Sequence, residues 1–232
     1  HSHYDHAGGS PWCAARWPEV KIISSQKTKS VFARPGARAV MRRLDASASQ
    51  LHRISSENDF FDNLRVDIVL GDGEEFSANG ISFRLIMFPG HTNCSAGFWF
   101  PESRLLLASE TLGVYAGGST VTPAFLVGFK SGIDSINRAL SMDIRHMLVP
   151  HFGMIHGVHC RQYLKLSLEC CDLMKNAVKQ GYENGRTKDE LIELLMQLFF
   201  TEDKRTIQPE DAFILNAGYM IDVIIREFEQ DA

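Results

Sequence analysis

The sequence predicts a layered α/β fold with a helical C-terminal segment, on three observations. Short runs of strand formers alternate with a helical pattern up to about residue 150. From His159 onward only helical periodicity remains. Third, the residues best suited to chemistry recur at the turns between strands, as a layered sheet protein arranges them.

Taken in order, the chain opens on His1-Ser2-His3-Tyr4-Asp5-His6. Three imidazoles and a carboxylate in one short stretch are the nitrogen and oxygen ligands that borderline divalent metals accept. A worn affinity tag is the bland alternative, but tags lack the interposed Asp and are not followed by Ala7-Gly8-Gly9 and an apolar, aromatic segment. Residues 7 to 19 are turn-rich, with Gly8, Gly9, Pro11 and Pro18, and hold a short helix ahead of a strand at Val20-Lys21-Ile22-Ile23. Tyr4 and Trp12 are read first as packing residues and second as pocket walls.

Ala37 to Ile54 reads as a helix on the spacing of Val40, Met41, Leu44, Ala48 and Leu51. Its arginines, Arg34, Arg38, Arg42, Arg43 and Arg53, form a solvated face or else meet an anionic group of a substrate. Strands follow at Asp67 to Leu70, Ile81 to Phe88, Cys94 to Phe100 and Leu105 to Ala108, punctuated by Asn79-Gly80, Pro89-Gly90 and Pro101-Glu102-Ser103. His91 follows the second of these strands and Glu110 the fourth. Gly113 to Gly128 is too rich in glycine to be regular and is placed to line a pocket. A short helix over Ser131 to Met142 and a strand at His146 to Val149 lead to Pro150-His151.

Three helices are then expected, over Cys160 to Gln180, Thr187 to Phe200 and Pro209 to about Glu229. Thr187-Lys188-Asp189-Glu190 is a capping box, and Pro209 with Glu210 and Asp211 suits a helix start. The organisation is therefore a core over residues 1–160 and a helical cap over 161–232.

Composition narrows the function. The 232 residues carry a formal charge of -4, and no stretch concentrates Lys and Arg with aromatics, which excludes a nucleic-acid surface and leaves small anionic substrates compatible. No apolar run has the roughly 18 residues of a membrane span. The five cysteines form no CxxC pair, so reduced thiols in a cytoplasmic setting are expected.

Together, HxHxDH at 1 to 6, His91 in Phe88-Pro89-Gly90-His91-Thr92, an acid at 110 after a strand, and Pro-His at 150 form an ordered series. The series resembles the metallo-β-lactamase superfamily. The resemblance implies an αββα sandwich whose N-terminal half-sheet is missing from this chain. Within that superfamily the chain is similar to the quinolone-signal-response, 2-aminobenzoylacetyl-CoA thioesterase-like branch, which adds C-terminal helices over its metal site. Glu110-Thr111-Leu112-Gly113 stands where that branch has Asp-Ala-Leu-Gly, and Val149 to Gly157 where it has Pro-Gly-His-Gly-Gly.

Carried over by position, the resemblance implies that His1, His3 and His91 bind one divalent metal, that Asp5, His6 and His151 bind a second, and that Glu110 bridges them. Zinc, iron and manganese all accept these donors. Two such cations acidify a shared water and polarise an ester or thioester carbonyl, with Asp5 holding the water or passing its proton to the leaving group. Two departures stand out: Glu110 replaces the usual Asp, and His156 competes with His151 for the last ligand position, although the trailing Gly153 and Gly157 favour His151. His146, His159 and His52 have no expected role. The implied activity is hydrolysis of a small-molecule substrate such as an acyl thioester, by a chain whose apolar helices also permit a homodimer. A di-iron protein for oxygen or nitric-oxide chemistry and a metal-binding regulator with little turnover are the alternatives.

Overall fold

The computed structural model describes residues 1–51, 61–205 and 208–231. The chain divides into two units, His1–Phe76 and Ser77–Ala232.

In the first unit, helices α1 (Tyr4–Ala7) and α2 (Gly9–Arg16) precede strand β1 (Ile23–Ser25), helix α3 (Gln26–Phe32) and helix α4 (Pro35–Leu51). A 3₁₀ turn at Phe61–Asn63 leads to β2 (Ile68–Leu70), which pairs parallel to β1, Ile23 opposite Ile68. Ala7, Phe32, Met41, Phe61, Leu64 and Val66 form the buried core. Helix α3 was not expected from its polar sequence. It exists because the Ser25 side chain accepts from the Thr28 N–H at its start and because Thr28 and Phe32 supply a buried edge.

The Arg-rich face of α4 is put to structural use in part. Arg38 donates to the Asp62 carbonyl at 3.3 Å and Arg42 pairs with the Asp62 carboxylate at 3.2 Å, so both hold the 3₁₀ turn, while Arg34 and Arg43 are exposed. The predicted end of this helix, with His52, Arg53 and Ile54, lies outside the described residues. Trp12 is half-exposed and packs edge-on against Trp17, and Tyr4 packs on the core.

Strand β3 (Glu75–Ala78) runs into the second unit, whose remaining elements are β4 (Ile81–Met87), β5 (Ala96–Phe100), β6 (Leu105–Leu107), β7 (Val114–Tyr115), β8 (Val121–Thr122), α5 (Phe129–Ser141), β9 (His146–Val149), β10 (Gly153–His156), α6 (Val158–Glu183), α7 (Lys188–Phe199), α8 (Glu202–Arg205) and α9 (Glu210–Asp231). The six-stranded sheet runs β10-β9-β6-β5-β4-β3. Asn79 and Gly80, both at positive φ, form the two-residue turn between β3 and β4. Strand β6 pairs parallel with β9, so the crossover between them can carry α5. One consequence is that the chain between β6 and β9, from Ala108 to Arg145, leaves at the C-terminal end of β6 and crosses back to enter β9 from the opposite end of the sheet.

The glycine-rich stretch after Glu110, expected to be irregular, contains the small antiparallel hairpin β7–β8, Val114 opposite Thr122. Gly113 makes it fit: its φ is 104°, and a Cβ there would stand 2.3 Å from Val121 Cγ1. The C-terminal helices follow the expected plan. The capping box is complete at α7, with Thr187 Oγ1 accepting from Glu190 N–H and the Glu190 carboxylate accepting from Thr187 N–H at 2.7 Å. Helix α6 buries Cys160, Tyr163, Leu164, Ser167, Cys171, Met174 and Val178 at spacings of three and four. With Leu191, Leu195, Phe199, Phe213, Ala217, Ile221 and Ile224 they join the sheet residues Phe88, Leu106 and Met147 in one core.

Candidate metal centre

The N-terminal donors are gathered by a single helical turn. His3 is the N-cap of α1, and its carbonyl accepts from the N–H groups of His6 and Ala7. That turn brings the His1 ring to 4.5 Å from the His3 ring and 4.3 Å from the His6 ring, between centroids. His6 Nε2 is 3.4 Å from Asp5 Oδ2. The four residues thus present one compact donor set.

In the second unit His91, Glu110 and His151 come together from three separate segments. Glu110 begins a 3₁₀ turn after β6, capped by the Ser109 side chain, and is 7% exposed. Its two oxygens face different imidazoles: Oε2 is 2.8 Å from His91 Nε2, and Oε1 is 3.0 Å from His151 Nε2. A carboxylate divided in this way between two nitrogen donors has the orientation of a bridging ligand.

His91 is fixed before any ligand arrives. Its Nδ1 lies 2.9 Å from the Ala124 carbonyl oxygen, which can only accept, so Nδ1 donates there and Nε2 is the nitrogen turned toward Glu110. The backbone of the same segment is clamped by Thr111, whose hydroxyl donates to the Phe88 carbonyl at 2.7 Å and accepts from the His91 N–H at 3.1 Å. Ser135 donates to the Pro89 carbonyl at 2.7 Å, and the Gly90 carbonyl accepts from Val127 N–H at 2.9 Å. Gly90 itself tolerates no side chain, because its φ is 139° and a Cβ would come within 2.7 Å of both Gly132 Cα and Thr111 Cγ2.

His151 follows β9 in a left-handed conformation, φ 63°. A residue with a Cβ pays about 1–2 kcal/mol there, and the conformation turns the imidazole toward Glu110. His156 goes elsewhere: it sits opposite His146 in the β9–β10 ladder, with their Nδ1 atoms 2.9 Å apart. His159 meets Gln162 at the start of α6.

Two residues that sequence reasoning did not single out complete the surroundings of Glu110. Tyr163 is buried on α6, donates to the Gly113 carbonyl at 2.7 Å, and has its phenol held above the ordinary tyrosine range by burial and then by the Glu110 carboxylate. Lys204, on α8, is 3% exposed, and burial pulls its ammonium down to about 8 against a smaller opposing pull from Glu110. Neither carries a local motif; only the tertiary fold brings them to the carboxylate.

The donors fit a divalent transition metal. They are imidazole nitrogens and carboxylate oxygens, His91 has its second nitrogen satisfied as metal-binding histidines do, and Glu110 is oriented toward two nitrogens at once.

Comparisons with known proteins bear on the family and the fold. A model described as the metallo-beta-lactamase superfamily matches residues 1–151. A hydroxyacylglutathione hydrolase of Prochlorococcus marinus is 30% identical over 119 residues, 51% of this chain and 35% of that protein. Among solved structures, a metallo-beta-lactamase family protein from Thermus thermophilus matches with a TM-score of 0.60 at 19% identity, over 98% of this chain and 73% of that one. A beta-lactamase domain protein from Burkholderia ambifaria matches with a TM-score of 0.60 at 14% identity, over 98% and 67%. The aligned part of this chain thus spans about a third of the hydroxyacylglutathione hydrolase's length, while the structural likenesses reach nearly the whole of this chain.

Proposed function

Because the chain belongs to the metallo-beta-lactamase superfamily, we propose that it is a dinuclear metal-dependent hydrolase of thioester or ester carbonyls. His1, His3 and His91 would hold one divalent cation and Asp5, His6 and His151 the other, with Glu110 as the shared carboxylate ligand. The observation that carries this reading is the division of the Glu110 carboxylate between His91 Nε2 and His151 Nε2. Glu in place of the usual Asp is compatible with this role, since its two oxygens lie toward different imidazoles.

Bound there, two divalent cations would supply an acidified water and polarisation of the substrate carbonyl. The rest falls to the protein. The Ala124 carbonyl holds His91 with Nε2 turned toward Glu110, and Thr111 keeps the His91 and Glu110 segments in register. Asp5, exposed at the first helical turn, takes a proton and returns it to the leaving group. A thiolate leaves more readily than an alkoxide, and the hydroxyacylglutathione hydrolase relative is a thioester hydrolase by name, so an acyl thioester is the substrate class to test first. The similarity to the quinolone-signal-response thioesterase branch points the same way.

The five cysteines are all free thiols, and burial raises Cys160, Cys170 and Cys171 toward the protonated form. That usage supports a reducing, cytoplasmic setting. No helix among the described residues is long and apolar enough to cross a membrane.

Thiol release from an aryl thioester, before and after chelation and after zinc, iron or manganese is restored, tests the reading. Activity lost on chelation and recovered with metal is expected. Turnover that survives both chelation and His91→Ala would refute it.

A further inference from the structure

A lysine ammonium buried without a partner is rare, because the charge has lost its water and gained nothing in return. Lys204 is largely withdrawn from water in this way. It is 3% exposed on the short helix α8, and among the described residues its ammonium makes no hydrogen bond and no ion pair. Its neighbours in sequence are engaged: Arg205 pairs with Glu210 at 2.9 Å and lies over the Phe200 ring at 4.3 Å.

The surroundings of Lys204 identify the site it serves. Asp203 Oδ2 is 3.0 Å from where a Cβ of Gly118 would stand, so α8 lies against the loop that leaves Glu110, and Tyr115 holds that loop by donating to the Gly118 carbonyl at 3.0 Å. Glu110 acts on Lys204 through space without pairing with it, and both Glu110 oxygens already face imidazoles. Among the described residues no carboxylate pairs directly with the Lys204 ammonium, and the Glu110 carboxylate acts on it only through space.

We propose that Lys204 binds a carboxylate carried on the acyl portion of the substrate, so that the substrate class is an anionic acyl thioester. This rests on the hydrolase reading above. It also explains how a buried charge persists: the unpartnered ammonium costs stability in the free protein and is satisfied when the substrate anion arrives. Lys204 is a specificity residue, and the bond that breaks remains the thioester C–S bond, with water adding to the carbonyl carbon and the thiol leaving with a proton.

The test uses the full, metal-loaded chain and two probes, the mono-S-phenyl thioester of glutaric acid and S-phenyl thiopentanoate, which differ by a carboxylate in place of a methyl. The wild type is expected to prefer the glutaryl thioester in kcat/KM by about 10- to 100-fold, the size of one hydrogen bond to a charged group. Lys204→Met should abolish the preference, mainly through KM, and Lys204→Arg should keep most of it. Two readouts do not depend on turnover. Lys204→Met should raise the unfolding temperature of the ligand-free protein, and millimolar glutarate should raise that of the wild type but not of Lys204→Met.

An equal glutarate shift in both proteins, or an unchanged preference in Lys204→Met, overturns the proposal. If the wild type hydrolyses neither thioester, the hydrolase reading fails. The glutarate shift then judges Lys204 alone: a shift that needs Lys204 upholds the anion site, and no shift in the wild type overturns it.

Discussion

Replacing Thr111 by Val changes almost no shape and removes one hydroxyl, which makes it a sharp probe of how the centre is held. That hydroxyl is buried, donates to the Phe88 carbonyl at 2.7 Å and accepts from the His91 N–H at 3.1 Å. In Thr111→Val both backbone groups lose their partner in a place water does not reach. Leaving a buried polar group unsatisfied costs about 1–3 kcal/mol, so the two together cost roughly 2–6 kcal/mol, less what is recovered by no longer burying the hydroxyl. Against a typical total of about 5–15 kcal/mol this is a large fraction. Urea unfolding of the metal-free protein measures it: the midpoint should fall with the slope unchanged. Thr111→Ser keeps the hydroxyl and loses only the methyl against Gly90, so it should sit much closer to the wild type. A Thr111→Val protein within about 0.5 kcal/mol of the wild type, the scatter of neutral surface changes, would refute the claim that this clamp fixes the His91 segment.

The other predictions follow from single observations. Gly113→Ala should cost roughly 2 kcal/mol or more by chemical denaturation, because the new methyl meets Val121 Cγ1 in a backbone of positive φ. His151→Ala should lower metal content by elemental analysis and His156→Ala should not, since only His151 faces Glu110. In the metal-free protein, Lys204 should make stability depend on pH. Its folded value is depressed to about 8 from 10.5, so between those values the unfolded chain binds more protons than the native one, and unfolding free energy rises with pH. The rise amounts to roughly 3 kcal/mol and is read as the difference between wild type and Lys204→Met, because Tyr163, raised by burial, pulls the other way at higher pH.

Much of this was legible in the sequence because it is local. The Asn79-Gly80 turn, the Thr187/Glu190 capping box and the apolar stripes of the C-terminal helices are each set by residues a few positions apart, and all are found. The donor set was legible for a different reason: HxHxDH, a His after Pro-Gly and a Pro-His form an ordered series whatever the packing. What escaped depends on the third dimension. Helix α3 draws its support from a cap and two buried side chains, and β7–β8 is a hairpin only because Gly113 lets Val121 approach. Thr111 reads as one more residue of a strand-end turn until its hydroxyl is seen between Phe88 and His91. Lys204 lies in a charged run, Glu202-Asp203-Lys204-Arg205, that any pattern assigns to solvent, yet its side chain alone of the four is buried.

The most direct test of the central claim is elemental analysis of the wild type and of Glu110→Gln, each purified without added metal, with aryl thioester turnover recorded on both. If Glu110 bridges a dinuclear centre, the wild type carries about two transition-metal ions per chain, and Glu110→Gln loses at least one of them along with hydrolysis. Equal metal content and equal turnover in the two proteins would contradict the account.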